Sequence, residues 1–349
     1  MSDALDLYDL ALLLSYERFT LEPRFRHTKL VDMAVAASPF QTLQPEIAEW
    51  NDPDPLKRAR RWGYVYRDFS TSSMLYMSKT PVRDLPSNML LDPHPPYLQL
   101  PTAAEKETAF YQPRALYSAR ESVVLIRYLL DLFDASAEVR IRTPRGETLY
   151  ARAQDLRTRT YTLSKLRSFV LSLIMPHSMS ACLDIDIVAL GDTKSDPVEH
   201  SVLIFQQARA SSLDDPRPIV LDLSSIQFGT LGRGLGGRAL FALEAQDAYD
   251  TRLRSVADEV VVLPSASPPN EREEPRHDWL RDVAAHVKAR YDRRATEGWC
   301  GHCGAPGTAL SLCARCGVAR FCSREHQLAA WPMHKLFCVP RQKKEKETN

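Results

Sequence analysis

Apolar positions recur at helical spacing in residues 4–16 and 28–37, which predicts two early helices. Residues 49–112 are rich in Pro and turn residues and show no clear period. Pro113 opens a strongly helical segment that runs to about Phe133. Two short runs, Val139–Thr143 and Glu147–Arg152, flank Pro144-Arg145-Gly146 and predict a hairpin. Residues 162–175 read as a further helix. Three consecutive strands are predicted at Leu183–Leu190, Ser201–Gln206 and Pro218–Leu223. A helix over Arg238–Asp258 and a short strand over Glu259–Leu263 complete this region. Helices cluster early and strands follow one another, so the pattern predicts an α+β body with a small antiparallel sheet and several helices, not a doubly wound sheet.

The stretch 264–277, PSASPPNEREEPRH, combines Pro, Ser and charge and reads as a linker. After it, Asp278 can cap a helix to about Arg294, with Trp279, Val283, Val287 and Tyr291 along one stripe. The reading therefore divides the chain into a body (1–263), the linker (264–277), a connecting helix (278–295), a compact segment (300–338) and a charged tail (339–349).

Composition narrows the function classes. The 349 residues carry 45 Lys+Arg against 44 Asp+Glu, with 44% hydrophobic and 26% charged residues. These are ordinary globular proportions, and they exclude a disordered, collagen-like or coiled-coil chain. The balanced charge also argues against a dedicated nucleic-acid binder, which needs a basic excess. The N-terminal stretch carries Asp3, Asp6 and Asp9 and no early Lys or Arg, unlike a secretory signal. The longest apolar runs are far short of the ~20 residues that span a bilayer. The expectation is an intracellular protein, cytoplasmic or nuclear, not secreted and not in the membrane.

The cysteines change the picture. Six of the seven fall within residues 300–338, together with His326 and His334, while Cys182 stands alone. The pattern is C-x2-C-x9-C-x2-C-x5-C-x3-H-x7-H-x3-C. Tetrahedral zinc takes four thiolate or imidazole ligands, so eight such residues fill two sites. Two residues between cysteines let one tight turn bring both sulfurs to one metal. Cys322/His326 and His334/Cys338 are each four apart, which places each pair on one helical face. Pro332 is expected to divide this stretch into two helical pieces. A disulfide framework would need an oxidising compartment. With so little apolar volume in the segment, metal binding supplies much of its folding free energy.

Residues 300–338 resemble a MYND-type zinc finger, in spacing and in Phe321, Ser323, Gln327, Trp331 and Lys335. The resemblance implies a two-zinc cross-brace. Cys300, Cys303, Cys322 and His326 would hold one structural Zn²⁺, and Cys313, Cys316, His334 and Cys338 the other. Position 326 departs from the family, which usually has Cys there. His302, inside the first Cys-x-x-Cys, is a poorly aimed competitor for zinc. Four protein ligands per ion mark closed structural sites, hence a binding module. The resemblance further implies recognition of a proline-containing peptide of a partner protein, with Gln327 and Trp331 at the groove: a Trp ring packs on proline while an amide bonds backbone. Residues 296–349 carry eight Lys+Arg and four Asp+Glu, too small an excess for a phosphate clamp.

Three other constellations bear on function. Gly232–Gly237 fits G-x-G-x-x-G but does not directly follow a strand, so it reads as a tight loop. His200 and Asp222 would meet across a hairpin, and a helix followed by strands resembles a papain-like or transglutaminase core. That resemblance would imply a hydrolase or acyl-transferase ancestry. The required cysteine is missing, since Thr160, Tyr161, Thr162 and Ser164 stand at the expected helix start. Cys182 falls at the start of a strand and reads as a small buried residue. A SET-type methyltransferase would place catalytic parts after the finger, whereas 11 residues follow Cys338. The expectation is an interaction or adaptor protein with no complete catalytic set.

Overall fold

In the computed structural model, the described residues are 4–35, 38–46, 50–51, 60–69, 83–100, 102–176, 185–191, 197–210, 217–264, 278–307 and 309–341. Cys182, most of the 264–277 stretch and residues 342–349 of the tail lie outside them.

The architecture is mixed α+β. The larger sheet has eight strands: β1 (Leu5–Asp6), β4 (Glu138–Arg142), β5 (Thr148–Arg152), β6 (Leu156–Leu166), β9 (Val198–Ala210), β10 (Arg217–Asp222), β11 (Ala242–Ala245) and β12 (Ala257–Val262). Its pairings are antiparallel except β1 with β4. The hairpin at Pro144–Gly146 forms as expected, with Arg142 opposite Thr148. The long strand β9 is the hub, pairing with β5, β6 and β10. A second sheet has the order β2 (Thr28–Val35), β3 (Arg61–Asp68), β7 (Phe169–Pro176), β8 (Asp186–Leu190), with β3 and β7 parallel.

Two expected helices are strands. Residues 28–35 form β2, and residues 162–175 are divided between the end of β6 and β7. The second sheet is covered on both faces, which explains the misleading period. Leu30, Tyr64 and Tyr66 face the main core, while Val31, Ala34, Val65 and Leu171 pack with Phe40 and Trp50 on the other side. A strand buried on both faces shows a continuous apolar run and no alternation.

Helix α1 (Leu7–Thr20) starts at an Asp6 cap whose side chain accepts the Asp9 N–H. The turn-rich region hides α2 (Ala103–Ala115), opened by a capping box between Thr102 and Glu105. Pro113 lies inside the last turn of α2 and does not start the next helix, α3 (Ala119–Leu130). The expected 238–258 helix is β11 followed by α4 (Gln246–Val256). Gly232–Gly237 is a tight loop, with Gly236 and Gly237 at φ of 65° and 67°.

Helix α5 (Asp278–Asp292) packs on α1 and α3 through Leu280, Val283, Ala284 and Val287. One continuous core runs from Leu10 and Leu14 through Ile126, Val202 and Val287 to Cys300 and Phe321. The cysteine-rich segment is therefore built onto the rest of the molecule. It contains the two-residue strands β13 (Ser311–Leu312) and β14 (Arg320–Phe321) and helix α6 (Arg324–Phe337).

Candidate metal centres

Ligand geometry in residues 300–338 is set by short local devices. Cys300 accepts the Gly304 N–H through its carbonyl, closing the turn that turns both sulfurs of the first Cys-x-x-Cys inward. The Cys313 carbonyl does the same for Gly317. Ser323 caps α6 by accepting the His326 N–H at 3.2 Å, which fixes His326 on the first turn.

Pro332 sits within α6 and does not divide it. A proline removes the N–H that would bond the carbonyl four residues back. Here that carbonyl belongs to Leu328, and the Arg238 guanidinium donates to it instead at 3.0 Å. The body thus replaces the bond that proline deletes.

Two clusters of soft ligand atoms result. Cys300, Cys303, Cys322 and His326 form one, and Cys313, Cys316, His334 and Cys338 the other, with the ligand atoms of each group within 4.8 Å of one another. The pairs interleave along the chain, as a cross-brace does. With arms of about 2.3 Å to sulfur, tetrahedral zinc spaces its sulfurs about 3.8 Å apart. Cys303 Sγ lies 3.9 Å from Cys322 Sγ, and Cys313 Sγ lies 3.9 Å from Cys338 Sγ. Those separations are far beyond a disulfide bond of ~2.05 Å, and all six cysteines are free thiols. Of the sulfur–nitrogen edges, Cys300 Sγ to His326 Nδ1 at 3.6 Å and Cys316 Sγ to His334 Nε2 at 3.7 Å are close to the ~3.6 Å of a zinc tetrahedron, whereas Cys322 Sγ to His326 Nδ1 is shorter, at 2.9 Å. The two clusters are consistent with two structural zinc ions.

The local electrostatics favour the metal-binding form at His334 and Cys316. At Cys303 and Cys338 the neighbouring thiols and burial favour the protonated form, and at His326 the flanking cysteines and Glu107 do so against the effect of burial. Burial, reinforced by the charges of Arg142 and Arg315, lowers the His334 pKa and favours the neutral imidazole that a metal needs. Burial pushes the Cys316 thiol up, but the N–H groups of Ala319 and Val318 outweigh it and favour thiolate.

Sequence reasoning did not find Glu107. This residue of α2 is 5% exposed, and its Oε1 lies 2.7 Å from His302 Nε2 and 3.2 Å from His326 Nε2. Its other oxygen is 3.2 Å from Arg233 Nη1. Burial raises its pKa, but His302, His326 and Arg233 together hold it well below the usual carboxylate range. No motif in the sequence marks it. His302 is engaged with Glu107 and is not part of either four-residue cluster.

The cysteine-rich segment meets the body at further points. Arg290 of α5 bonds Glu17 of α1 and the Gly304 carbonyl, both at 2.7 Å. A Cβ on Gly304 would lie 2.4 Å from the Leu12 carbonyl oxygen, so that turn rests directly on the α1 backbone. A groove of about 460 Å³ lies along the seam, lined by residues including Ala103, Thr108, Arg238, His326, Leu328 and Ala329.

His200 and Asp222 also meet, at 2.8 Å between Nε2 and Oδ2. Both are buried, and the remaining contacts consume them. Gln227 faces His200 Nδ1 at 2.9 Å, and Tyr249 bonds Asp222 at 2.8 Å. Thr160, Tyr161, Thr162 and Ser164 lie within strand β6, so no helix N-terminus stands there to activate a nucleophile. The arrangement gives no support to a papain-like core.

Residues 300–338 match the family model described as the MYND finger. That match decides the character of the segment. No curated protein and no solved structure matches the chain. MYND fingers are zinc-binding protein-interaction modules, and this one is seated on an α+β body that the comparisons do not assign. Among the described residues no helix is long and apolar enough to cross a membrane.

Proposed function

We propose that the protein is an intracellular adaptor whose MYND finger captures a proline-containing segment of a partner protein. In this reading Cys300, Cys303, Cys322 and His326 ligate the first zinc, and Cys313, Cys316, His334 and Cys338 the second. The ions are structural, and the working surface is helix α6.

The observation that carries the reading is Trp331. It is 37% exposed, although it belongs to a small segment that buries Phe321, Ala330 and Met333. One edge of its ring leans on His334, with centroids 5.9 Å apart. The ring thus packs against a zinc-cluster residue while more than a third of the residue stays exposed. Gln327 stands one turn earlier and is half-buried, and Leu328 beside it is 53% exposed. A rigid aromatic ring with an amide one turn away suits a polyproline II segment, which offers proline rings and unpaired backbone carbonyls.

The test is titration of the intact protein with a panel of proline-rich peptides, beside a Gln327→Ala/Trp331→Ala variant of equal zinc content. Aromatic anchors dominate such interfaces, so binding is expected to weaken by about tenfold or more in the variant. Equal affinities of the two proteins for the peptides they bind would overturn the assignment of the groove.

A further inference from the structure

The histidine at position 326 brings something a thiolate lacks: a second pole. His326 Nδ1 faces the sulfurs of Cys322 at 2.9 Å and Cys300 at 3.6 Å. Its other nitrogen, Nε2, points out of the cluster and meets Glu107 Oε1 of the body at 3.2 Å. A histidine that ligates a metal donates its remaining N–H to an acceptor, and a carboxylate there fixes the tautomer and ring orientation and raises ligand basicity.

Glu107 is prepared for that role. Its carboxylate is held by Arg233, which is itself 4% exposed. Arg233 in turn bonds Thr108 Oγ1 at 3.0 Å and the carbonyls of Ala104 and Arg238 at 3.2 and 2.9 Å. His302, from the turn of the first Cys-x-x-Cys, shares the same Glu107 oxygen. Two rings from the finger thus converge on one fixed carboxylate of the body, and they pack against each other with centroids 4.8 Å apart.

We infer that Glu107 is a positioning residue for the first zinc site, acting through His326, so that loading this zinc and seating the finger on the body are one linked event. The inference rests on the proposed role of His326 as a zinc ligand. Linkage makes the effect reciprocal: a docked finger holds the first zinc more tightly, and the first zinc holds the finger docked. Among the described residues the histidine of the second cluster meets no carboxylate, and its ring neighbours are Phe321 and Trp331 of the finger itself. The two sites should therefore differ in their dependence on the body.

The experiment uses the full chain in four forms: unaltered, Glu107→Gln, His326→Cys, and both together. Zinc affinity is read by competition with a chromogenic chelator, and the ligand set by the visible spectrum of the cobalt-substituted protein. Loss of such a carboxylate partner costs about 10–100-fold in metal affinity. Glu107→Gln is expected to weaken one zinc by that factor and leave the other unchanged. His326→Cys is expected to keep two metals, shift one cobalt centre toward an all-sulfur spectrum, and abolish the effect of Glu107→Gln. Unchanged zinc affinity in Glu107→Gln would overturn the inference. An equal loss with Cys at position 326 would also overturn it, because Glu107 would then act through packing and not through the imidazole. A third metal per chain would overturn it by making Glu107 and His302 ligands themselves. A cobalt spectrum unmoved by His326→Cys would show a different failure, that of His326 as a ligand.

Discussion

Stripping zinc with a strong chelator is expected to unfold residues 300–338 while the two sheets of the body persist. The segment has little else to fold around. Among its described residues the regular structure is two strands of two residues each and one helix, and apart from cysteines the buried apolar side chains are Phe321, Ala330 and Met333. Structural zinc contributes apparent binding free energies of about 10–16 kcal/mol in finger peptides, and that energy is folding energy. Without it, Cys300, Cys303, Cys313, Cys316 and Cys338 would be buried thiols with no partner of comparable strength. The consequence extends to the body, because Arg290 loses the Gly304 carbonyl and Leu328 no longer receives Arg238. Hydrogen exchange followed peptide by peptide checks this. Amides of 300–338 should lose protection on chelation, with a smaller loss at the C-terminal end of α5, while β6, β9 and β10 stay protected. Retained protection across 300–338 in the metal-free chain would contradict it.

Asp222→Ala is expected to be among the most damaging single substitutions in the body, destabilising it by about 3–5 kcal/mol. Asp222 accepts the Ser224 N–H and hydroxyl at 2.9 Å each and the Tyr249 hydroxyl at 2.8 Å, and pairs with His200 at 2.8 Å. Alanine would remove the acceptor these buried groups share, leaving the Ser224 N–H and hydroxyl without it and the His200 Nε2 and Tyr249 hydroxyl to their mutual contact at 3.1 Å, at the cost of the lost groups' desolvation. The network joins β9, β10 and α4, so its loss loosens three elements together.

The pH dependence follows from the same contacts. Burial raises the Asp222 pKa, but His200, Tyr249 and Ser224 more than offset this and hold it below the ordinary value of about 3.9. A depressed carboxylate contributes stability that is fully present above its unfolded pKa and is lost as pH falls through its folded one. The difference between the native protein and Asp222→Ala should thus be constant near neutrality and shrink only in strong acid. Urea unfolding at neutral and acid pH measures it. A cost under about 1 kcal/mol at neutral pH would show that the cluster does not tie these elements together.

The finger was legible in the sequence because metal chemistry constrains spacing locally: two residues between cysteines and three between helix ligands leave few other readings. The body was less legible where burial on both faces removed the alternation that marks a strand, as in 28–35 and 169–176. Helix α2 carried a readable sign, the Thr102-x-x-Glu105 capping box, masked by the Pro-rich stretch before it and by Pro113 within it. Pro332 misled for a tertiary reason, since the group that replaces its missing N–H comes from Arg238, far away in the chain. Glu107 could not be read at all, because an isolated acidic residue on a helix acquires its meaning only from what packs against it. His200 and Asp222 were correctly brought together, but only the structure shows that Gln227, Tyr249 and Ser224 complete a buried network and leave no place for a nucleophile.

The central claim is that residues 300–338 are a two-zinc finger in the resting protein. Native mass spectrometry of the intact chain, purified without added metal or chelator, tests it most directly. The account predicts a mass corresponding to two zinc ions per chain with all six finger cysteines reduced, falling to one ion in Cys316→Ser. A chain carrying no zinc, or a single ion unaffected by that substitution, would contradict it.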